Sequence, residues 1–272
     1  SGPDELVPDA AGTAPHRQAR SRLVPVLAAV VFVVFLAAPP RALAEKAWQV
    51  GYGLCHQQPD RSFFVGGRQL PLCARDTGTY LGAAVTLLCM LGTSRRLGTS
   101  LPHPWVLAVL ALGGAFFVVD GMNSYAGAFP FLPRLYEPDN RLRLLSGLML
   151  GTAMAAALLP LFNYTLWRSA PAERPLNGRA LLALPAALTL AYLAVTNGPA
   201  WLYLPLAVGL ALTVLLVLAA VNGLLVTVIL RHDRRGTDWR DLVHLLSWGV
   251  LLTAIELGFL SGARYLAETA LR

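Results

Sequence analysis

Metal-binding residue types and anion-gripping arginines gather in two stretches of this chain. The first runs Cys55-His56-Gln57-Gln58-Pro59-Asp60-Arg61-Ser62-Phe63-Phe64 and continues through Pro71-Leu72-Cys73-Ala74-Arg75-Asp76-Thr77-Gly78-Thr79-Tyr80. Thiolate, imidazole and carboxylate are the ligands that zinc takes. Cys55, His56, Cys73 and Asp76 therefore form a candidate metal set, with zinc first. Cys73 and Asp76 stand three apart, on one face of a turn that enters a helix. The spacing fits no standard zinc finger. A Cys55–Cys73 disulfide is the alternative, available in an oxidising compartment. It would clasp a loop and contribute about 2–4 kcal/mol. Residue types alone leave both readings open.

The second stretch holds Asp120-Gly121-Met122-Asn123-Ser124-Tyr125 and, further on, Glu137-Pro138-Asp139-Asn140-Arg141-Leu142-Arg143. Arg61, Arg75, Arg141 and Arg143 could grip phosphate or carboxylate with forked donors, and Asn123 could add a polar contact. Asp120 closes a strongly apolar run, and an ionisable residue at that depth is rarely idle. It is a candidate base or further ligand. In the structural alternative it pairs with Arg75 or Arg143 and holds a bundle together. Glu256 is the other acid within an apolar run, in Leu252-Thr253-Ala254-Ile255-Glu256. A charge near the bilayer centre costs about 2.5–3.5 kcal/mol on insertion scales, so Glu256 is expected to face a bundle interior or cavity. Cys89 reads as a small packing residue, and Asn222 as an interhelical hydrogen-bonding residue.

The elements that must position these groups follow from composition. The 272 residues are 56% hydrophobic and only 14% charged, and the charges lie between long apolar runs. Soluble domains carry about 25% charged residues. A lipid solvent explains the runs, because every backbone polar group there must be satisfied within a helix. The runs predict spans at 23–43, 77–93, 104–121, 144–166, 179–196, 202–230 and 242–265. The expected fold class is all-α, a polytopic transmembrane bundle of about seven spans. Gly147-x-x-x-Gly151 predicts close helix packing inside it. A rival reading makes 17–44 a signal peptide with a cleavage site near Ala42-Leu43-Ala44; a retained anchor is the preferred one.

Orientation follows from the basic residues. With the N-terminus inside, twelve of the 22 face the cytoplasm: Arg17, Arg20, Arg22, Arg95, Arg96, Arg168, Arg174, Arg179, Arg231, Arg234, Arg235 and Arg240. Most of the remainder lie in the two polar stretches and read as site residues. N-in and C-out is the expected topology. Residues 1–22 would be a cytoplasmic tail beginning with a tag remnant, 23–166 a four-span core carrying the site, and 167–272 three further spans. The site then faces outward from a plasma membrane. The net charge of +7 lies in span-flanking loops, and no soluble domain is present to read a nucleic-acid groove.

The pattern Gly-Tyr-x-x-Cys-His-Gln, then Arg-Ser-Phe, then Pro-Leu-Cys-Ala-Arg-x-x-Gly-x-Tyr-x-Gly resembles a family of prokaryotic membrane proteins, the domain of unknown function 2085. Asp120-Gly121 and Asn140-Arg141-Leu142-Arg143-Leu144-Leu145-Ser146-Gly147 carry the likeness further, over about 45–160. The family usually reads Cys-x-Arg-Cys-x-Gly, so Asp76 stands where it has a second cysteine. The resemblance implies a shared polar site with ligands Cys, His, Cys and Cys. A carboxylate in place of a thiolate keeps a ligand, which suits a metal better than a disulfide.

These readings give one leading expectation: a membrane-embedded, zinc-assisted hydrolase or transferase acting on a lipid or lipid-linked anionic substrate. Asp120 and Glu256 are its candidate catalytic acids. The alternatives are a transporter or channel running through Asp120 and Glu256, and a non-catalytic subunit of a membrane complex stapled at Cys55–Cys73.

Overall fold

A computed structural model describes residues 14–93, 98–126, 133–230 and 239–270, with side chains from residue 22 onward. The tail through residue 13 and the side chains of Arg17 and Arg20 lie outside what it describes. So do Arg95, Arg96, Arg231, Arg234 and Arg235.

Eight helices follow among the described residues: α1 Ala14–Ala37, α2 Leu43–Tyr52, α3 Ala74–Thr93, α4 Pro104–Ala126, α5 Asn140–Leu166, α6 Gly178–Asn197, α7 Tyr203–Ile229 and α8 Trp239–Ala270. Five segments are long and apolar enough to cross a membrane: α4, α5, α6, Ala200–Ile229 and α8. Outward faces are apolar, with Leu182 85% and Phe259 74% exposed. In water such surfaces would drive aggregation; in a bilayer they meet their own solvent. The chain is thus a polytopic helical membrane protein. Local capping fixes several helix starts. Asp139 accepts from the Arg141 amide at 3.1 Å to open α5, and Asn177 accepts from the Ala180 amide at 3.0 Å to open α6. Each satisfies a donor that the first turn leaves free.

One element departs from the all-helical expectation. Residues 62–73, read from sequence as loop, form an antiparallel hairpin of β1 (Ser62–Val65) and β2 (Arg68–Cys73). Gly66 and Gly67 have φ of 59° and 77°, the left-handed values that a two-residue hairpin turn needs. Glycine adopts them without a Cβ penalty. Leu70 and Leu72 are fully buried beside Val50, Leu144, Tyr203 and Leu210. The hairpin therefore plugs one end of the bundle.

The bundle itself is built on close helix contacts. A Cβ at Gly147 would overlap the Arg75 carbonyl, and one at Gly151 the Thr79 carbonyl. From the other side, a Cβ at Gly78 or Gly82 would overlap the carbonyl of Leu144 or Leu148. These four glycines let α3 and α5 approach backbone to backbone, as the Gly147/Gly151 spacing predicted. Thr86 donates to Thr152 across the same contact at 3.2 Å. Helix α5 also packs on α4, and α7 on α8. Helix α4 runs to Ala126, so Asp120 lies within the last two turns of the helix and does not end it.

Candidate metal and anion site

The joint between β2 and α3 brings the thiols together. Cys73 ends β2 and Asp76 lies in the first turn of α3. Cys55 follows α2 by three residues. One ligand atom from each of Cys55, Cys73 and Asp76 lies within 4.8 Å of the other two. The Cys73 thiol donates to Asp76 Oδ2 at 3.1 Å. The Cys55 sulfur accepts the backbone N–H groups of Cys73, at 3.1 Å, and Gln57, at 3.4 Å. Both cysteines are free thiols. The hydrogen bond from Cys73 holds the Cys55 thiol below its ordinary range, against its own burial. That shared bond, burial and the Asp76 carboxylate push Cys73 far above it.

Gln57 is the knot behind this geometry. It adopts φ 54° and is 6% exposed. Its side-chain amide donates to the carbonyls of Trp48, at 3.0 Å, and Pro71, at 2.9 Å. Its own carbonyl accepts from Gln69 at 2.8 Å. Gly51 completes the fit, since a Cβ there would overlap the Pro71 carbonyl. The Cys-His-Gln segment is thus tied to β2 through its glutamine. His56 points elsewhere: it is exposed and outside the ligand group. The reason is local, since the backbone that turns the flanking Cys55 and Gln57 inward leaves the side chain between them outward.

A second cluster begins one residue away. Arg75 donates to Asp120 Oδ2 through Nη2 at 2.6 Å and Nε at 3.2 Å, and to the Asp120 carbonyl at 3.1 Å. Tyr136 donates to Asp120 Oδ1 at 2.9 Å, and Ser146 to Oδ2 at 3.4 Å. Asp120 is 0% exposed. Burial and its bond to Asp120 push the Tyr136 phenol up to about 12, so it stays a donor at neutral pH. Arg143 is also buried; it donates to Asn140 at 2.8 Å and lies within electrostatic reach of Arg61, Arg75, Asp120 and Cys73. Arg75 and Arg143 therefore lie within reach of one buried carboxylate, beside the thiols, while Arg61 pairs with Asp60 at 3.8 Å and lies within electrostatic reach of Arg143.

Other residues singled out from sequence sit apart. Arg141 is exposed, and among the described residues only its backbone is bonded, to Asp139. Asn123 is spent on its own loop: it donates to the Tyr136 carbonyl at 2.8 Å and accepts from the Leu135 amide at 2.7 Å. Glu256 does not face the interior. It is exposed on α8 and accepts from Asn222 at 3.0 Å, while Asn222 also reaches Thr253 at 3.1 Å. That bond bridges α7 and α8, so an interhelical amide satisfies the acid without burial. Cys89 lies apart from the site, packed against a separate apolar cluster.

Sequence reading missed one positioning residue. Arg264, near the end of α8, donates to the carbonyls of Tyr52, Cys55 and His56 and pairs with Glu268 at 2.7 Å. Its guanidinium stacks on the Tyr52 ring at 3.9 Å. Nothing local signals this, because 209 residues separate the partners. Hydrogen bonds from a charged group are worth about 1.5–3 kcal/mol each. Arg264→Ala is expected to loosen the Cys55 segment and raise the rate of Cys55 alkylation by maleimide at least about tenfold. Arg264→Lys should restore only part of the protection, since an ammonium lacks the planar fork. An unchanged rate in the alanine variant would remove Arg264 from this role.

Comparison with known proteins places these residues. A family model described as "Predicted membrane protein (DUF2085)" matches residues 55–157, which include the thiols, Asp76, Arg75, Asp120 and Arg143. An uncharacterized protein of Methanocaldococcus jannaschii is 31% identical over 109 residues, 40% of this chain and 64% of that protein. The chain thus spans just under two thirds of that relative's length. An uncharacterized protein of Methanothermobacter thermautotrophicus is 30% identical over 102 residues, 38% of this chain and 81% of that protein. No solved structure matches. The matched segment and these two archaeal relatives agree, and the chain belongs to the DUF2085 family of predicted membrane proteins.

Proposed function

We propose that this protein holds a zinc ion on Cys55, Cys73 and Asp76 and uses it to act on an anionic lipid or lipid-linked substrate at the outer face of the plasma membrane. The observation that carries this reading is the convergence of three ligand atoms within 4.8 Å from two separate segments. Tetrahedral zinc with bonds of about 2.0–2.3 Å sets its ligands about 3.5–3.8 Å apart. Shifts of well under 1.5 Å per atom would reach that geometry. Three protein ligands leave a fourth position, the pattern of catalytic zinc, where a bound water is activated near neutral pH.

Arg61, Arg75 and Arg143 supply the positive field for the substrate's anionic group. Asp120 serves as the anchor of Arg75. Its burial and four donors support that role over base or ligand. Helices α1 and α3 complete seven spans with the five apolar segments, N-in and C-out, which turns the hairpin outward. The transporter reading draws less support. The hydrogen-bond partners of Asp120 and those of Glu256 share no residue among those described.

Metal analysis of the purified chain tests the proposal. One zinc per chain is expected, lost in Cys73→Ala and reduced in Asp76→Ala. Metal-free protein whose Cys55 and Cys73 are oxidised to each other would overturn it in favour of the clasp. Labelling of Cys55 on intact cells by an impermeant maleimide, after zinc removal, tests the orientation; protection until lysis would reverse it.

A further inference from the structure

A groove of about 680 Å³ lies between α1, α2, α7 and α8. Its walls are apolar, with Phe32 and Phe35 from α1, Leu216 from α7 and Val250 from α8. It opens sideways, where Phe32 and Leu216 are exposed. The segments that wall it in α7 and α8 are of membrane-crossing length, so the solvent at that opening is hydrocarbon. Along α8 it runs from Leu246 to Ser261, about 22 Å at 1.5 Å per residue. One leaflet's hydrocarbon is about 15 Å thick, so a single extended chain fits along it.

Apart from Thr253, which already accepts from Asn222 at 3.1 Å, the groove's polar side chains lie at one end. Gln49, Tyr52 and Ser261 line that end. The side chains of Gln49 and Ser261 have no hydrogen-bond partner among the described residues, whereas Tyr52 is bonded to Glu268. Cys55 lies three residues beyond Tyr52, under the Arg264 clamp. A second apolar recess of about 550 Å³, between α3, α5, α7 and α8, lacks this asymmetry. Its one polar side chain, Thr213, is already bonded to the Gly209 carbonyl at 2.8 Å.

We infer that this groove binds one acyl chain of a membrane glycerophospholipid, with the headgroup at Gln49, Tyr52 and Ser261 beside the Cys55 segment. The inference deepens the proposed function by naming where the substrate's lipid tail lies, and it rests on that reading only for its catalytic meaning. Hydrocarbon in the groove restores the dispersion contacts that an empty apolar recess forgoes. The free amide and hydroxyl at the polar end fix which way the lipid lies.

The test uses the full chain in nanodiscs of phosphatidylglycerol carrying a diazirine on one acyl chain. After irradiation, adducts are expected to concentrate in the peptide spanning 246–261 and on α1. A Cβ at Gly258 meets nothing within 4 Å, and Gly258 lines the groove. Gly258→Phe should therefore fill it without moving backbone and cut labelling there at least about tenfold. Gly262, equally open but outside the groove lining, provides the control, and Gly262→Phe should label as the wild type does. Adducts spread evenly over the outward faces of α4, α6 and α8 would overturn the inference. So would undiminished labelling in Gly258→Phe. If Gly258→Phe does not fold, the wild-type map alone decides. Zinc measured in the same samples separates the two ideas. Zinc-free protein with a labelled groove sinks the proposed chemistry and keeps the lipid site; zinc-loaded protein with an unlabelled groove does the reverse.

Discussion

Asp120→Ala is expected to destabilise the protein by about 3–5 kcal/mol, the usual result of removing one partner of a buried ion pair. Its carboxylate receives Arg75 twice, Tyr136 and Ser146. Arg75 is only 16% exposed in its side chain, so the guanidinium would be left with little water to replace the lost acceptor. Arg75 also sits between Cys73 and Asp76, and its release would loosen the turn that holds two of the candidate ligands. Unfolding of the purified variant by sodium dodecyl sulfate, followed by circular dichroism, measures the loss. Asp120→Asn should cost less, because an amide oxygen still accepts from Arg75 or Tyr136. Zinc content then sorts the roles. Asp120→Asn is expected to keep its metal if Asp120 is an anchor, and would lose it if Asp120 were a ligand. A stability change under about 1 kcal/mol in the alanine variant would show the pair to be worth no more than a surface ion pair.

Gly151→Leu is expected to yield little or no folded protein. A Cβ at this position overlaps the carbonyl oxygen of Thr79 and comes within 2.8 Å of the Ala83 amide nitrogen. Neither is the flexible end of a side chain. Helices α3 and α5 would have to part, breaking the reciprocal contacts at Gly78, Gly82 and Gly147 and the Thr86–Thr152 bond. Overpacking in a core costs about 1–3 kcal/mol when side chains can yield, and more when backbone must move. Gly114→Leu provides the comparison, since a Cβ at Gly114 meets nothing within 4 Å. It should express and unfold as the wild type does. Size-exclusion profiles in detergent, with unfolding curves for whatever is recovered, check both. A well-folded Gly151→Leu would mean that the α3–α5 contact tolerates separation, and the position of Arg75 would lose its structural basis.

Both predictions rest on α5 lying against α3 while Asp120 reaches Arg75 from α4. The sequence carried much of this. Run length reports solvent, so the long apolar runs were legible as membrane helices without any knowledge of their neighbours. The Gly147 and Gly151 spacing puts both glycines on one helix face, so it announced a close contact though not the partner. The Cys73 and Asp76 proximity was legible because a helical turn fixes it. Gly66-Gly67, between Val65 and Arg68, is a hairpin signal within a segment read as loop; its physical content is two left-handed φ values in succession.

Tertiary structure decided the rest. Cys55 meets Cys73 across 18 residues because Gln57 knots its segment to Pro71, and that same twist turns His56 outward. Glu256 reads from sequence as an interior acid because a charge facing hydrocarbon is costly. An amide on α7 satisfies it at the surface instead. Arg264 holds carbonyls that carry no side-chain identity at all, so no residue pattern could have pointed to it. Composition and periodicity fix what each segment must be in hydrocarbon, since those are properties of ten or twenty neighbouring residues. Which ligand meets which depends on how helices distant in sequence pack, and only the folded bundle specifies that.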